Sequence, residues 1–204
     1  MGTGLTHAST PGGRAAAERD LRALVRSESG LTVLTGGQTG VDTFAALAAL
    51  RAGLRVHLVF PKGYRQEDGQ LTAARRREVA EATLHELSSA SFRYRTWTCA
   101  YLADAIVLLD PAGGAGCRET ARAARKLGRP LLCPDAGELT PDLAAGWLTE
   151  TLARVVMVAG CRGSLLARAG MAPGVQADLT VLMAAARSQH QRLAGRRPGP
   201  AAPT

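Results

Sequence analysis

Short apolar runs alternate along the chain with longer stretches whose apolar residues recur at helical spacing. The runs are bounded by Gly, Pro or Asp, which is typical of buried parallel strands. They predict strands at 31–35, 55–60, 105–109, 130–133 and 155–159. Helices are predicted at 14–27, 42–52, about 70–82, 96–103, 117–127, 141–152 and 175–187. This alternation predicts an α/β fold, a Rossmann-like three-layer sandwich with a mostly parallel sheet.

One domain accounts for the folded part of the chain. Its 204 residues are enough for one hydrophobic core. Residues 1–13 and 191–204 are rich in small residues and proline, so both ends are predicted to be disordered tails. A single domain is therefore expected at 14–190.

Two glycine-rich loops follow predicted strands, and each leads into a helix. Ligands of such sheets bind beyond the carboxyl ends of the strands, and a helix N-terminus favours an anion. We therefore predict that a small phosphate-bearing ligand binds between the loops, although a plain tight turn also explains the first loop. The candidate contacts are Gly36, Gly37, Gln38, Thr39, Gly40, Asp42, Gly113, Gly114, Gly116 and Thr120.

Four further candidates are Lys62, Arg95, Arg162 and Ser164. Lys62 follows a predicted strand directly, and Arg162 lies in a Gly-rich loop after the last strand. The planar guanidinium of Arg162 suits bidentate contact with an oxyanion. A solvated loop charge is the alternative for Lys62, and helix capping is the alternative for Asp42.

The charge and the aromatic content argue against binding of nucleic acid. The net charge is +8, but +1 of it falls in residues 1–30 and +3 in residues 188–204, which leaves a mild +4 between them. Aromatic residues make up 4% of the chain, too few for base-stacking platforms. The absence of a signal peptide and of a long apolar run predicts a cytoplasmic protein with no membrane partner.

The cysteines predict neither a metal site nor a disulfide framework. Cys99, Cys117, Cys133 and Cys161 contain no C-x-x-C pair and have no histidine close in sequence. We expect buried, reduced thiols at all four positions.

Six short motifs, taken in order, resemble the family named "Putative molybdenum carrier protein", which is related to YpsA and belongs to the SLOG group. The motifs are Gly36–Asp42, Pro61–Gly63, Glu67–Gly69, Arg95-Thr96, Ala103–Ala105 and Val158–Ser164. The resemblance spans about residues 31–187. It implies a Rossmann-like fold, a homo-oligomer (dimer or tetramer) and binding of the molybdenum cofactor, molybdopterin, for storage or transfer. For the wider group it implies nucleotide-derived ligands.

The chain departs from the family pattern at several positions, and these bear on the identity of the ligand. An Asn common a few residues after the Arg-Thr pair is missing from the stretch 97–100. Cys117 and Arg118 are unusual in the second loop, and Gly163 stands where Glu is common. An insertion covers residues 165–171.

The resemblance leaves three functions open. Binding without turnover, by a cofactor carrier, comes first. A nucleotide-ligand sensor or a phosphoribohydrolase like LOG is second, but Thr120 stands where the catalytic Glu of LOG would be and Glu119 is one residue early, on another face of the helix. Binding of single-stranded DNA, as in the SLOG protein DprA, is third. We predict no catalytic residue, since no nucleophile–base order is present.

Overall fold

The computed structural model describes residues 11–27, 29–110 and 113–195. Its strands are β1 (Thr32–Thr35), β2 (Arg55–Phe60), β3 (Arg65–Gln66), β4 (Gly69–Gln70), β5 (Thr83–Glu86), β6 (Ala105–Leu109), β7 (Leu131–Leu132) and β8 (Val155–Gly160). Its helices are α1 (Pro11–Arg26), α2 (Val41–Arg51), α3 (Ala73–Glu78), α4 (Phe92–Leu102), α5 (Ala115–Lys126), α6 (Pro141–Thr151), α7 (Gly163–Ala169) and α8 (Ala172–Gly195).

Six strands form one parallel sheet in the order β5-β2-β1-β8-β6-β7. The central strands are apolar and buried because helices cover both faces. Helices α2, α6 and α8 pack together in one layer, and α1, α4 and α5 pack together in the other. The predicted Rossmann-like three-layer α/β fold is confirmed.

The sequence predicted the four central strands to within one residue, and the differences lie at the edges. The edge strand β5 was not predicted, and neither was helix α7. The predicted helix at 70–82 is reduced to α3, because β3 and β4 form a hairpin just before it. Helix α4 begins at Phe92 rather than at 96, since Ser91 caps it by accepting a hydrogen bond from the Tyr94 amide.

The tail predictions fall mostly outside the described residues, which leave out 1–10 and 196–204. Within the described part, residues 11–13 belong to α1 and residues 191–195 belong to α8. The single domain at 14–190 stays a prediction.

The sheet has a switch point between β1 and β8. From β1 the chain continues through α2 to β2 on one side, and from β6 it continues through α5 to β7 on the other. The loops that follow β1, β6 and β8 therefore meet at one edge, where ligands of open α/β sheets bind.

Candidate functional site

A cavity of about 330 Å³ lies at the switch point. This volume is within the range of about 300–1,000 Å³ typical of small-molecule sites. Six of the predicted ligand contacts line it: Gln38, Asp42, Arg95, Gly116, Thr120 and Arg162. The lining also contains nine residues that we did not select: Glu67, Phe92, Arg93, Thr96, Ala115, Glu119, Met157, Ala159 and Gly160. The structure thus brings the two predicted loops to one cavity.

The glycines of the first loop are packed against other parts of the protein. A Cβ on Gly36 would lie 1.1 Å from Arg95 Nη1, and one on Gly37 would lie 2.4 Å from the Phe60 ring. Gly40 has a φ of 79°, and a Cβ there would lie 2.5 Å from the Cys161 carbonyl oxygen. These three glycines are therefore explained by close packing within the protein, and none of them lines the cavity.

The carboxylate of Asp42 occupies the place where an anion would be expected in the first loop. Its Oδ2 accepts a hydrogen bond from the Gln38 amide at 3.1 Å. The Thr39 amide donates to Gln38 Oε1 at 3.2 Å, and the Val41 amide donates to the Cys161 carbonyl at 3.1 Å. Because these N–H groups have partners within the protein, the loop does not present them to a ligand in this arrangement.

Asp42 pairs with Arg95 in the floor of the cavity. Arg95 Nη1 lies 3.2 Å from Asp42 Oδ2, and the two side chains are only 9% and 5% exposed. Burial raises the pKa of Asp42, while the Arg95 charge and the loop amides oppose that rise. In the part of the chain that the structure describes, Arg95 Nε is buried without a hydrogen-bond partner.

Glu67 ties together the loops that follow β1 and β8. Its Oε1 accepts from the Ser164 amide at 3.1 Å and from the Thr39 hydroxyl, and its Oε2 accepts from Ser164 Oγ at 2.7 Å. Burial alone would raise the pKa of Glu67, but the hydrogen bonds from Ser164 and Thr39 outweigh it and lower the pKa. Thr39 and Ser164, both predicted ligand contacts, therefore bind Glu67. The resemblance contained Glu67, but our reasoning from spacing did not select it.

The β3–β4 hairpin holds Glu67 in this position. Gln66 Nε2 donates to the Gly37 carbonyl at 2.7 Å, and the Glu67 amide donates to Gln38 Oε1 at 2.6 Å. The hairpin thus sits on the first glycine loop and places the Glu67 side chain in the cavity wall.

Glu119 faces the cavity, which corrects our expectation that it lies away from the ligand. Its Oε1 accepts from Trp97 Nε1 at 2.6 Å and from Arg93 Nε at 2.8 Å. Both hydrogen bonds lower the pKa of Glu119, and the bond from Trp97 has the larger effect. The neighbouring Thr120 is buried and donates its hydroxyl hydrogen to the Gly116 carbonyl at 3.1 Å.

Arginine–carboxylate pairs dominate the charge of the cavity. The pairs are Arg93–Glu119, Arg95–Asp42 and Arg162–Glu67. Arg162 Nη1 is 3.9 Å from Glu67 Oε2, and the Arg162 side chain is 51% exposed. Such a wall offers guanidinium groups to an oxyanion and carboxylates to ligand N–H groups.

Three predicted contacts lie elsewhere. Lys62 does not line the cavity; its side chain is exposed, and its amide donates to the Ser89 carbonyl at 2.8 Å. Gly113 is exposed, and Gly114 caps helix α5 just outside the cavity. Their roles as ligand contacts stay predictions.

The cysteines are thiols rather than disulfides. Three are buried as expected, but Cys133 is exposed, because it follows the short edge strand β7. Cys117 and Cys161 come together with Asp110, with ligand atoms within 4.8 Å of one another. The sequence predicted no such cluster.

Comparisons with known proteins agree with the fold. A crystal structure of the "Putative molybdenum carrier protein" from Syntrophus aciditrophicus SB is similar, with a TM-score of 0.62 and 21% identity, over 77% of this chain and 98% of that one. No curated protein sequence matches the chain. Among the described residues, no helix has both the length and the apolar character that a membrane span requires.

The family described as circularly permutated YpsA SLOG matches residues 33–184, which is most of the sequence. The chain therefore belongs to the circularly permutated YpsA SLOG family.

Proposed function

We propose that the cavity binds the molybdenum cofactor, or a related phosphate-bearing ligand, and that the protein carries this ligand without turnover. The observation that carries the proposal is the set of three arginine–carboxylate pairs that line a 330 Å³ cavity at the switch point. The name of the structurally similar protein supports the same class of ligand.

Both kinds of charge in the cavity suit such a ligand. Molybdopterin carries a phosphate at one end and ring N–H groups at the other, so it needs cations and hydrogen-bond acceptors together. Arg162 is held to Glu67 only at 3.9 Å and is half exposed, so it can turn toward a phosphate. Both hydrogen bonds to Glu119 end on Oε1, which leaves Oε2 to accept from a ring N–H within the described structure.

Helix α5 supplies backbone donors where the first loop does not. Ala115 and Gly116 are the first residues of this helix, and both line the cavity. The N–H groups of a first helical turn lack intrahelical partners and attract anions, helped by the helix dipole. The phosphate is therefore expected between the start of α5 and Arg162.

Calorimetry with molybdopterin and a panel of nucleotides tests the proposal. Arg162→Ala should weaken binding by about 1.5–3 kcal/mol, the range for a hydrogen bond to a charged group. Arg187→Ala is the matched control, because it removes an exposed arginine of α8 outside the cavity and should leave the affinity unchanged. Folded protein that binds none of these compounds would contradict the proposal.

A phosphoribohydrolase is the second candidate, and the position of Glu119 favours it. Its carboxylate lines the cavity, and its lowered pKa keeps it ionised at neutral pH. Incubation with purine and cytokinin-type monophosphates, followed by chromatography for the free base, decides between the two functions. A carrier releases no base; repeated turnover that is lost in Glu119→Gln would establish the hydrolase.

The assembly and the location of the protein stay predictions. The resemblance implies a homo-oligomer, either a dimer or a tetramer, and the sequence composition predicts a cytoplasmic protein. Light scattering coupled to size-exclusion chromatography measures the oligomeric state. A monomer across the micromolar range would contradict it.

A further inference from the structure

Three side chains with metal-binding atoms meet behind the cavity wall. Asp110 directly follows β6, Cys117 lies in the first turn of α5, and Cys161 directly follows β8. Their ligand atoms lie within 4.8 Å of one another, and Cys161 Sγ donates to Asp110 Oδ1 at 2.9 Å. None of the three lines the cavity, so the cluster is separate from the proposed ligand site.

The separations are close to those that a tetrahedral zinc ion requires. Zinc–sulfur bonds of about 2.3 Å place two thiolates about 3.8 Å apart. The observed separations of up to 4.8 Å need only small side-chain shifts to reach this geometry. Because all three residues begin or follow regular elements, the backbone already holds the ligands in place.

The surroundings of the cluster are those of a closed site with one open position. Cys117 and Cys161 are 3% and 1% exposed. A Cβ on Gly114 would lie 3.8 Å from Cys117 Sγ, so the backbone at the start of α5 lies against this thiol. Asp110 is partly exposed, which leaves room for a water molecule.

We propose that Asp110, Cys117 and Cys161 bind one Zn²⁺ or a similar thiophilic divalent cation, with water as the fourth ligand. A set of two thiolates and one carboxylate binds zinc more strongly than it binds harder cations such as Mg²⁺ or Ca²⁺. Each thiol loses its proton on binding, so one ion replaces two protons.

The ion would brace two walls of the cavity. Cys117 follows Gly116 and Cys161 follows Gly160, and both glycines line the cavity. A metal bridge between them fixes the start of α5 against the loop after β8. Metal binding should therefore raise the thermal unfolding temperature of the ligand-free protein.

Spectroscopic titration with Co²⁺ tests the site in the full chain, purified under reducing conditions and freed of metal with a chelator. We expect one Co²⁺ per chain, thiolate-to-cobalt charge-transfer absorption, displacement by Zn²⁺ and release of two protons per ion. X-ray absorption of the Zn²⁺ complex should find two sulfur neighbours at about 2.3 Å. Fewer than two sulfur neighbours, or no binding by folded protein, would overturn the proposal.

Single substitutions assign the ligands. Cys117→Ser and Cys161→Ser should each weaken Zn²⁺ binding by more than about 100-fold, beyond the 10–100-fold effect of residues that only support metal ligands. Cys99→Ser is the matched control, since Cys99 is equally buried but lies on α4. Tight binding that survives both ligand substitutions would place the metal elsewhere and refute the assignment. Should either variant fail to fold, the sulfur count of the wild-type complex decides.

Discussion

Two buried histidines on neighbouring strands should make the stability of the fold depend on pH. His57 on β2 and His85 on β5 are 3% and 0% exposed, and His57 Nδ1 lies 2.8 Å from His85 Nε2. The pair fits two neutral rings, one donating a hydrogen bond and one accepting it. Burial lowers the pKa of each histidine from 6.5 to about 4, with a smaller contribution from the Arg55 charge near His57 and from His57 near His85.

The sign and the size of the effect follow from these pKa values. As the pH falls below 6.5 the unfolded chain takes up a proton on each histidine, while the folded protein does so only near pH 4. The free energy of unfolding is therefore unaffected above pH 6.5 and falls between pH 6.5 and 4. One pKa unit corresponds to about 1.4 kcal/mol, so each histidine lowers this free energy by about 2 kcal/mol between pH 6.5 and 5.

Urea unfolding followed by circular dichroism, from about pH 7.5 to about pH 5, measures this slope. The double variant His57→Leu/His85→Leu replaces both rings with apolar side chains of similar size and should have a flatter profile. Asp42 has a raised pKa and acts with the opposite sign, but it is common to both proteins and cancels in the comparison. Leu58→Ala on β2 is the control, because it lowers the stability without removing either ring and should keep the wild-type slope.

Two results would refute this reasoning. The first is an equal pH dependence of the wild type and the double variant across this range. The second is a nuclear magnetic resonance titration in which the ring protons of His57 or His85 in the folded protein have a midpoint near pH 6.5.

Three further substitutions test how the fold holds the site. Asp42→Ala should lower the free energy of unfolding by about 3–5 kcal/mol, because it leaves a buried Arg95 unpaired. Added phosphate should restore part of this free energy in urea unfolding. No recovery relative to chloride at equal ionic strength would contradict the anion-like role of Asp42. Gly40→Ala should lower the free energy of unfolding by at least about 2 kcal/mol more than Gly53→Ala does. Both glycines have a positive φ, but of the two only Gly40 lacks space for a Cβ. Equal losses of stability in the two variants would refute this explanation. Leu152→Gly should raise the free energy of unfolding by about 0.5–1 kcal/mol. Leu152 ends α6 in a left-handed backbone conformation, and it is 71% exposed, so its side chain contributes little packing. A loss of stability in this variant would argue against backbone strain at Leu152.

The sequence was sufficient to predict the central sheet but not its edge. Strands such as β6 consist of apolar residues only, because they are covered on both faces, and such runs are visible without any structure. Strand β5 reads Thr-Leu-His-Glu, and its polar residues conceal it. Its His85 is buried beside His57 of β2, and this tertiary contact is one that no local pattern contains.

The cavity was predictable as a location but not as a set of side chains. Helix N-termini after β1 and β6 identified the edge of the sheet, and that prediction used topology alone. The pairing of Arg93 with Glu119 depends on how α4 packs against α5, which sequence spacing does not encode. The same holds for Cys117 and Cys161, which are far apart in sequence and meet only because β6 and β8 are neighbours.

The first glycine loop has a sequence typical of anion binding, and the structure places a protein carboxylate in that role. Its glycines are fixed by the packing of Arg95, Phe60 and the Cys161 carbonyl, and its Gln38 amide binds Asp42. An external anion at this edge of the sheet must therefore either displace Asp42 or bind to arginine side chains and to the start of α5. Displacing Asp42 would break a buried ion pair, which is strongly unfavourable, whereas turning the half-exposed Arg162 costs little. Ligand affinity should therefore depend on the arginines of the cavity more than on the loop that the sequence makes most conspicuous.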